Sequence, residues 1–415
     1  MRNITLAVFF LLVGCSGSQN AGLNPGLIDL ESKVGDFDGF RLSELGAEIN
    51  YITLENGNKS IRGIYEADFR YGKIVVSDRS ICLLYDDEGE LISEIGTQGR
   101  GPEEFNHISA LAIGKESVYI QDGLVFKEYD FNGKFISKIF AIEKEEILFG
   151  DSWLNINDTL FLFKVPNRTG QCEICAILFN KTGNIINSYP NYARGGDNPY
   201  RPTLLNIADI YLYNDTVHFR DWMNDTLFVL TENLEMIPKY VLYLGKYRQP
   251  EPEILSKEGS ENQFDFISIG WVFETSRHLF LNCLFNNYSP ARREKPIEYR
   301  PGVLTWFYAA NVVGVYDKKS NNLRFSKPLK TENKLIVTGI RNDIDDGPSF
   351  EPAKTVNDST LVMWFTPFDL KKHVESDEFV RSKPLYPEKK SELKMLADSL
   401  DENDNPILMF VTFKE

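Results

Sequence analysis

The chain contains few of the residues from which disulfide scaffolds, zinc sites and histidine-based catalytic centres are built. Only five cysteines and four histidines occur among 415 residues, which is too sparse for a disulfide-dense framework. Cys172 and Cys175 have metal-like spacing, but no second pair and no nearby histidine completes a zinc site. Cys82 lies in an apolar strand pattern and is predicted to be core. The disulfide status of these three cysteines and of Cys283 stays open.

The sequence also lacks a catalytic signature. No Gly-x-Ser-x-Gly nucleophile elbow is present, and the glycine-rich stretch around Arg100 is not a phosphate-binding Walker motif. With 60 acidic residues, some pair of carboxylates could always be matched to glycoside chemistry, so the acid count identifies no active site. No catalytic residue is predicted.

Positive charge is scarce, because the chain has 45 Lys and Arg residues but 60 Asp and Glu residues, which gives a net charge of −15. A surface this acidic argues against nucleic acid and anionic lipid surfaces as partners. No segment after the first 14 residues is long and apolar enough to cross a membrane. No cofactor is predicted.

The first residues have the order of a secretory signal. Arg2 supplies a positive region, Ile4–Val13 is a short apolar region, and Gly14 precedes Cys15. We therefore predict a signal peptide over residues 1–14, a flexible tether over 15–26, and a folded domain over 27–415.

Leu12-Val13-Gly14-Cys15 resembles the lipobox of bacterial lipoproteins. The resemblance implies cleavage before Cys15 and lipidation of its sulfur, and several acyl chains suffice for a stable membrane anchor. Ser16 at the next position fits passage to the outer membrane. The alternative is an ordinary signal peptide with an incidental cysteine.

A four-stranded unit repeats along the chain. Strand patterns surround a turn at Gly89, and the same arrangement recurs 44 residues later around Gly133. A period of about 40–50 residues with four strands is typical of β-propellers. Looser copies bring the number of units to six, and they lie at 158–183, 214–229, 277–316 and 358–365. The stretch Asn286–Thr305 within the fifth unit is predicted to be a long loop.

Two strands outside these units can close the ring. Ile49–Leu54 and Ile407–Phe413 are expected to share one blade, which leaves no unpaired sheet edge at the ring junction. The apolar spacing in Glu388–Leu400 predicts a helix inserted into that blade. The predicted fold is all-β, a six-bladed β-propeller with a short C-terminal helical insertion.

Three segments resemble a family of six-bladed β-propeller lipoproteins from bacterial envelopes, related to NHL-type propellers. They are Gly96–Phe105, Arg341–Pro352 and Glu402–Leu408. The resemblance covers the whole mature chain and implies the fold and the compartment. It implies little about activity, although NHL-type propellers usually act as binding platforms.

Three sets of residues are candidate ligand sites. In the glycine-rich loop, Arg100 could hold an anionic group beside Glu103; the alternative is a structural connection in which Arg100 pairs with a carboxylate and Glu103 caps a turn. Arginines and aromatics in the long loop could bind a glycan or peptide, or could pack the loop onto its own blade. The members of this second set are Arg292, Arg293, Trp306 and Tyr308.

The third set is acidic. Asp343, Asp345 and Asp346 are weak candidates for Ca²⁺ binding, because Gly347 occupies a position where an EF-hand loop needs a ligand. The alternative is a series of Asx turns.

Two functions of different class follow. The first is an anchored binding or scaffolding module for a glycan, a peptide or an envelope protein. The second is a glycan-active hydrolase or lyase with acidic residues in the central funnel, which rests on fold analogy alone. A structural envelope component without a small ligand is a third possibility.

Overall fold

The computed structural model describes residues 25–141, 153–165, 172–192, 209–221, 224–248, 265–291, 297–300, 303–305, 311–330 and 336–414. Three strands precede the first repeat: β1 (Gly26–Asp29), β2 (Phe37–Asp38) and β3 (Ala47–Thr53). Blade 1 follows with β4 (Glu66–Arg70), β5 (Lys73–Ser77), β6 (Cys82–Asp86) and β7 (Leu91–Glu94). Blade 2 contains β8 (Ile108–Ile113), β9 (Ser117–Asp122), β10 (Val125–Asp130) and β11 (Phe135–Ala141).

The next two blades continue the pattern. Blade 3 contains β12 (Trp153–Asn155), β13 (Leu160–Lys164), β14 (Ile174–Asn180) and β15 (Ile185–Pro190). Blade 4 contains β16 (Asp209–Tyr213), β17 (Thr216–Arg220), β18 (Thr226–Leu230) and β19 (Met236–Tyr243).

The last two blades carry insertions. Blade 5 is built from β20 (Ser268–Glu274), β21 (His278–Leu284), β24 (Asn311–Asp317) and β25 (Asn322–Ser326), with β22 (Ile297–Arg300) and β23 (Val303–Thr305) between its second and third strands. A small hairpin of β26 (Leu329–Lys330) and β27 (Ile336–Val337) leads to blade 6. Blade 6 contains β28 (Lys354–Thr355), β29 (Thr360–Phe365), β30 (Ile407–Phe413) and the early strand β3.

Helices occur in the connections. Between β29 and β30 lie α1 (Pro367–Val374), α2 (Asp377–Arg381) and α3 (Pro387–Ser399). Short 3₁₀ helices span Glu31–Lys33, Leu42–Leu45, Gly245–Tyr247 and Asn286–Tyr288. Helix α3 confirms the predicted helix to within one residue at each end. The expectation of a plain loop over Asn286–Thr305 was wrong, because this stretch contains a 3₁₀ turn and the β22–β23 hairpin.

The six blades form a closed ring. The first strand of each blade lies innermost and contacts the first strand of the next, and β28 of blade 6 contacts β4 of blade 1. Blade 6 combines distant parts of the chain, since β30 pairs antiparallel with β3 along its whole length, from Ala47 opposite Phe413 to Thr53 opposite Ile407. This confirms the predicted closure.

The segment before β3 runs along the outside of two blades. β1 pairs in parallel with β19 and so extends blade 4, and β2 pairs in parallel with β25 and extends blade 5. Both additions cover sheet edges that would otherwise expose unpaired backbone groups. Blades 4 and 5 are therefore five-stranded.

The repeated glycine of the hairpin turns brings neighbouring blades together. Gly133 has φ +81°, and a Cβ at this position would overlap the carbonyl oxygen of Glu94 at the end of blade 1. The carbonyl of Gly133 accepts a hydrogen bond from the backbone N–H of Gly96 at 3.0 Å. Gly89 makes the same approach to Thr53 in blade 6, with φ +90°. Glycine is thus required here by both conformation and proximity.

Candidate functional site

The two faces of the propeller differ. Because antiparallel strands alternate in direction, the connections between blades emerge on the same face as the connections between second and third strands. These connections are the long ones, and they carry the glycine-rich loop, the acidic segment, the β22–β23 hairpin and the three helices. The opposite face has short turns. The long-connection face is therefore the place to look for binding residues.

The glycine-rich loop is fixed by blade 2. The side chain of Glu104 accepts a hydrogen bond from the Gly101 N–H at 2.8 Å, and Tyr129 Oη donates to the Glu103 carbonyl at 3.0 Å. Lys127 donates to the carbonyl of Glu104. Glu104, not Glu103, therefore closes the turn. Arg100 is exposed and forms no ion pair with a described residue. Its ligand role and the alternative pairing with a carboxylate both stay predictions.

The acidic segment is buried under the first strands and the helices. Asp343 accepts hydrogen bonds from the backbone N–H and the hydroxyl of Ser43 at 3.2 and 2.7 Å. Asp345 accepts from Asn342 Nδ2 at 2.6 Å, and burial raises the pKa of Asp345. Asp346 lies 3.6 Å from Lys390 of α3. Each carboxylate thus has its own protein neighbour. Among the described residues, no three His, Cys, Asp or Glu side chains are grouped to hold a metal.

Several predicted site residues lie outside the described residues. They are Cys15, Arg292, Arg293, Trp306 and Tyr308.

The four described cysteines are free thiols. Cys82 is fully buried, which confirms its place in the core. Burial raises the pKa of Cys283 and of Cys175 to about 12, so these side chains are protonated and unreactive at neutral pH.

A concave pocket of about 220 Å³ lies between blades 3 and 4. Its walls come from β15 and the residues after it on one side, and from β17, β18 and the turn before β19 on the other. Tyr192 is exposed, and its ring lies nearly parallel to that of Phe228, with centroids 6.5 Å apart. Apolar and aromatic side chains mixed with a few polar groups are typical of ligand pockets. The lining residues are Cys175, Asn187, Ser188, Tyr189, Pro190, Asn191, Tyr192, Phe219, Asp221, Asn224, Phe228, Leu234, Glu235 and Met236.

Asp221 is the polar group of this pocket that stands out. It is 5% exposed, and its Oδ1 atom has no hydrogen-bond partner in the described part of the chain. The preceding Arg220 turns away, since its Nε donates to Asp209 at 2.8 Å and its Nη2 donates to the carbonyl of Ile269 in blade 5 at 3.0 Å. Burial raises the pKa of Asp209 to about 6 in spite of this pairing. Arg220 therefore joins two blades, and no ion pair links Asp221 to another described residue.

A second buried charge cluster braces blades 4 and 5. Glu274 lies 3.0 Å from Lys239 and 2.9 Å from Lys318, and its side chain is only 1% exposed. His218 Nε2 lies 2.8 Å from Lys239 Nζ, and burial lowers the pKa of His218 to about 4. All these groups have partners in the protein, so the cluster is structural.

Acids on the innermost strand of blade 1 are also engaged. Asp68 accepts a hydrogen bond from the backbone N–H of Ile113 in blade 2 at 2.7 Å, and Glu66 lies 3.7 Å from Lys354 in blade 6. These contacts tie neighbouring blades together. They do not supply a free pair of carboxylates for glycoside chemistry.

Sequence reasoning missed the pocket. Its residues come from separate strands and turns of two blades, and no local motif marks them. Asp221 follows an ordinary strand pattern, and Tyr192 follows another. Only the packing of blade 3 against blade 4 brings them together.

Comparison with known proteins gives the family. The family model described as "Domain of unknown function (DUF4934)" matches residues 25–412. The chain belongs to this DUF4934 family. Among curated proteins, none matches the chain.

Solved structures share the fold of this DUF4934 protein. "Putative exported protein (BF0058)" from Bacteroides fragilis NCTC 9343 superposes with a TM-score of 0.64 at 16% identity, covering 91% of this chain and 98% of that chain. A member of the DUF4221 family from Bacteroides vulgatus ATCC 8482 has a TM-score of 0.50 at 10% identity, covering 91% and 99%. At these identities the likeness concerns the fold alone. No helix in the described part of the chain has the length and apolar character to span a bilayer.

Proposed function

We propose that this protein is a lipid-anchored propeller of the bacterial envelope that acts as a binding module, with the pocket between blades 3 and 4 as its ligand site. The observation that carries the proposal is this pocket. It combines two nearly parallel aromatic rings, Tyr192 and Phe228, with the buried carboxylate of Asp221. A concave site with apolar walls and few polar groups is typical of sites that recognise a small molecule or a side chain.

The anchor rests on the sequence before the propeller. A short apolar region ends at Gly14-Cys15, and residues 16–24 are small or polar apart from Leu23. Similarity to BF0058, which is described as exported, supports export. Metabolic labelling with a fatty-acid analogue and membrane fractionation test the anchor. Wild-type protein is expected to carry label and to sediment with outer membranes, and the Cys15→Ser variant is expected to lose both properties.

A ligand screen by thermal shift tests the binding role. The mature chain with Cys15→Ser is screened against envelope and dietary glycans, short peptides and small amines, because a ligand that binds the folded state raises its melting temperature. A hit should be lost in Phe228→Ala. It should be kept in Tyr243→Ala, which removes an exposed aromatic residue from β19. Absence of any hit, or a hit unaffected by Phe228→Ala, contradicts the pocket assignment.

No observation on the described residues favours the glycan-active enzyme. The same screen can be read for product release, and turnover of any glycan would revive that alternative.

A further inference from the structure

We infer that the pocket between blades 3 and 4 recognises a protonated amine carried on an apolar or ring-shaped body; this inference rests on the proposed binding role of the pocket. It starts from the juxtaposition of the buried Asp221 and the Tyr192–Phe228 ring pair, which line the same pocket.

The described lining of the pocket is acidic. Two carboxylates, Asp221 and Glu235, line the pocket, and none of its described lining residues is Lys, Arg or His. The adjacent cation, Arg220, is held by Asp209 and by carbonyl groups of blade 5. Lys164 is buried near Cys175 but is not among the residues that line the pocket. The pocket therefore offers negative charge to a ligand.

Asp221 has a buried carboxylate oxygen that needs a hydrogen-bond donor. A buried carboxylate oxygen without a hydrogen-bond donor is costly, because it has lost water and gained no partner. No described residue donates a hydrogen bond to Asp221 Oδ1, and the residue is more than nine-tenths buried. A protonated amine supplies both a donor and a compensating charge, which makes it the ligand group that relieves this cost most fully.

Several hydrogen-bond donors of the lining are bound to protein carbonyls. The Asn187 side-chain NH₂ and the Tyr189 hydroxyl both donate to the carbonyl of Leu234, at 3.0 Å each. Asn191 donates to the carbonyl of Cys172 at 3.1 Å. These donors are already committed to protein carbonyls. A neutral sugar needs donors as well as acceptors from its site, whereas an ammonium group needs acceptors only. Ser188 and Asn224 also line the pocket and carry donors, so the preference for the amine rests mainly on the acidic groups of the lining.

Two aromatic rings lie in the wall of the pocket. The rings of Tyr192 and Phe228 are 21° from parallel, and Tyr192 is 75% exposed at the pocket entrance. Aromatic faces attract cations and also pack against the flat body of a ligand. The two rings can therefore contact both the charged amine and the ring that carries it.

A matched pair of probes tests the inference. Phenethylammonium and 2-phenylethanol share the same aromatic body and differ in the charged group, and glucosamine and glucose form a second pair on a sugar ring. Titration calorimetry on the mature Cys15→Ser chain is expected to show phenethylammonium binding at least about 10-fold more tightly than 2-phenylethanol, since a charged hydrogen bond contributes that much. Asp221→Asn should remove most of this preference. Asp398→Asn, which makes the same charge change on exposed helix α3, should leave it intact.

Several outcomes overturn the inference. Equal binding of 2-phenylethanol, or tighter binding of glucose, would leave the pocket as a binding site and refute its preference for amines. Failure of all four probes would refute the amine inference, and the wider screen would then decide the binding role by itself. Circular dichroism checks that Asp221→Asn folds. Tyr192→Ala, at an exposed position, gives a second test and should weaken phenethylammonium binding severalfold; unchanged affinity would also count against the inference.

Discussion

The turn glycines give the most quantitative prediction about the fold. Gly133 and Gly123 lie in the same blade and both have positive φ, at +81° and +62°. A Cβ at Gly133 would overlap the carbonyl oxygen of Glu94, whereas a Cβ at Gly123 would meet nothing within 4 Å. Alanine at either position bears the left-handed backbone cost of about 1–2 kcal/mol. Alanine at Gly133 must also displace the neighbouring blade, which adds about 1–3 kcal/mol.

We therefore expect Gly133→Ala to lower the free energy of unfolding by about 2–5 kcal/mol, and Gly123→Ala by about 1–2 kcal/mol. Urea denaturation of the two variants and the wild type, followed by circular dichroism and tryptophan fluorescence, measures the difference. Equal losses in the two variants would refute the reasoning, because they would show that the contact with Glu94 has no energetic role.

Three further predictions follow from the structure. Truncation before Ile407 removes β30 and with it the closure of blade 6, so the product is expected to lose cooperative unfolding and to elute as aggregate in size-exclusion chromatography; a folded monomer would contradict this. Burial lowers the pKa of His218 and His278 to about 4, so the unfolded chain binds more protons between pH 6.5 and 4, and stability should fall as the pH drops through this window. The raised pKa values of Asp209 and Asp345 act in the opposite direction, so the net loss is smaller than the two histidines alone would give; it is measurable as urea midpoints from pH 7 to 4, and a rise in stability would be the wrong sign. In the chain with Cys15→Ser and Cys172→Ser, Cys283 should react with Ellman's reagent only on unfolding, as should the other buried thiols; rapid labelling of this native chain would contradict their burial.

The fold was predictable because its four-stranded unit repeats along the sequence. The 44-residue spacing between Gly89 and Gly133 reflects a real contact, since each turn approaches the preceding blade in the same way. The apolar run Ile407–Phe413 likewise indicated a strand that could close the ring. What could not be predicted was the parallel pairing of β1 and β2, because these short segments gain stability only from edges that the completed blades provide.

The candidate sites were harder to predict for a related reason. Local motifs such as Gly99–Glu104 and Asp343–Gly347 attract notice, and the structure ties the first to blade 2 and the second to the segment before β3 and to α3. The pocket residues Asp221 and Tyr192 carry no local signal. Their significance depends on burial and on an unpartnered oxygen, which are properties of tertiary packing.

The most direct test of the account is a crystal structure of the mature chain with the ligand that the screen identifies. We expect ligand density between blades 3 and 4, with a donor of the ligand within about 3 Å of an Asp221 carboxylate oxygen and its body against Tyr192 and Phe228. Density at the glycine-rich loop or in the central channel, with the pocket empty, would contradict it.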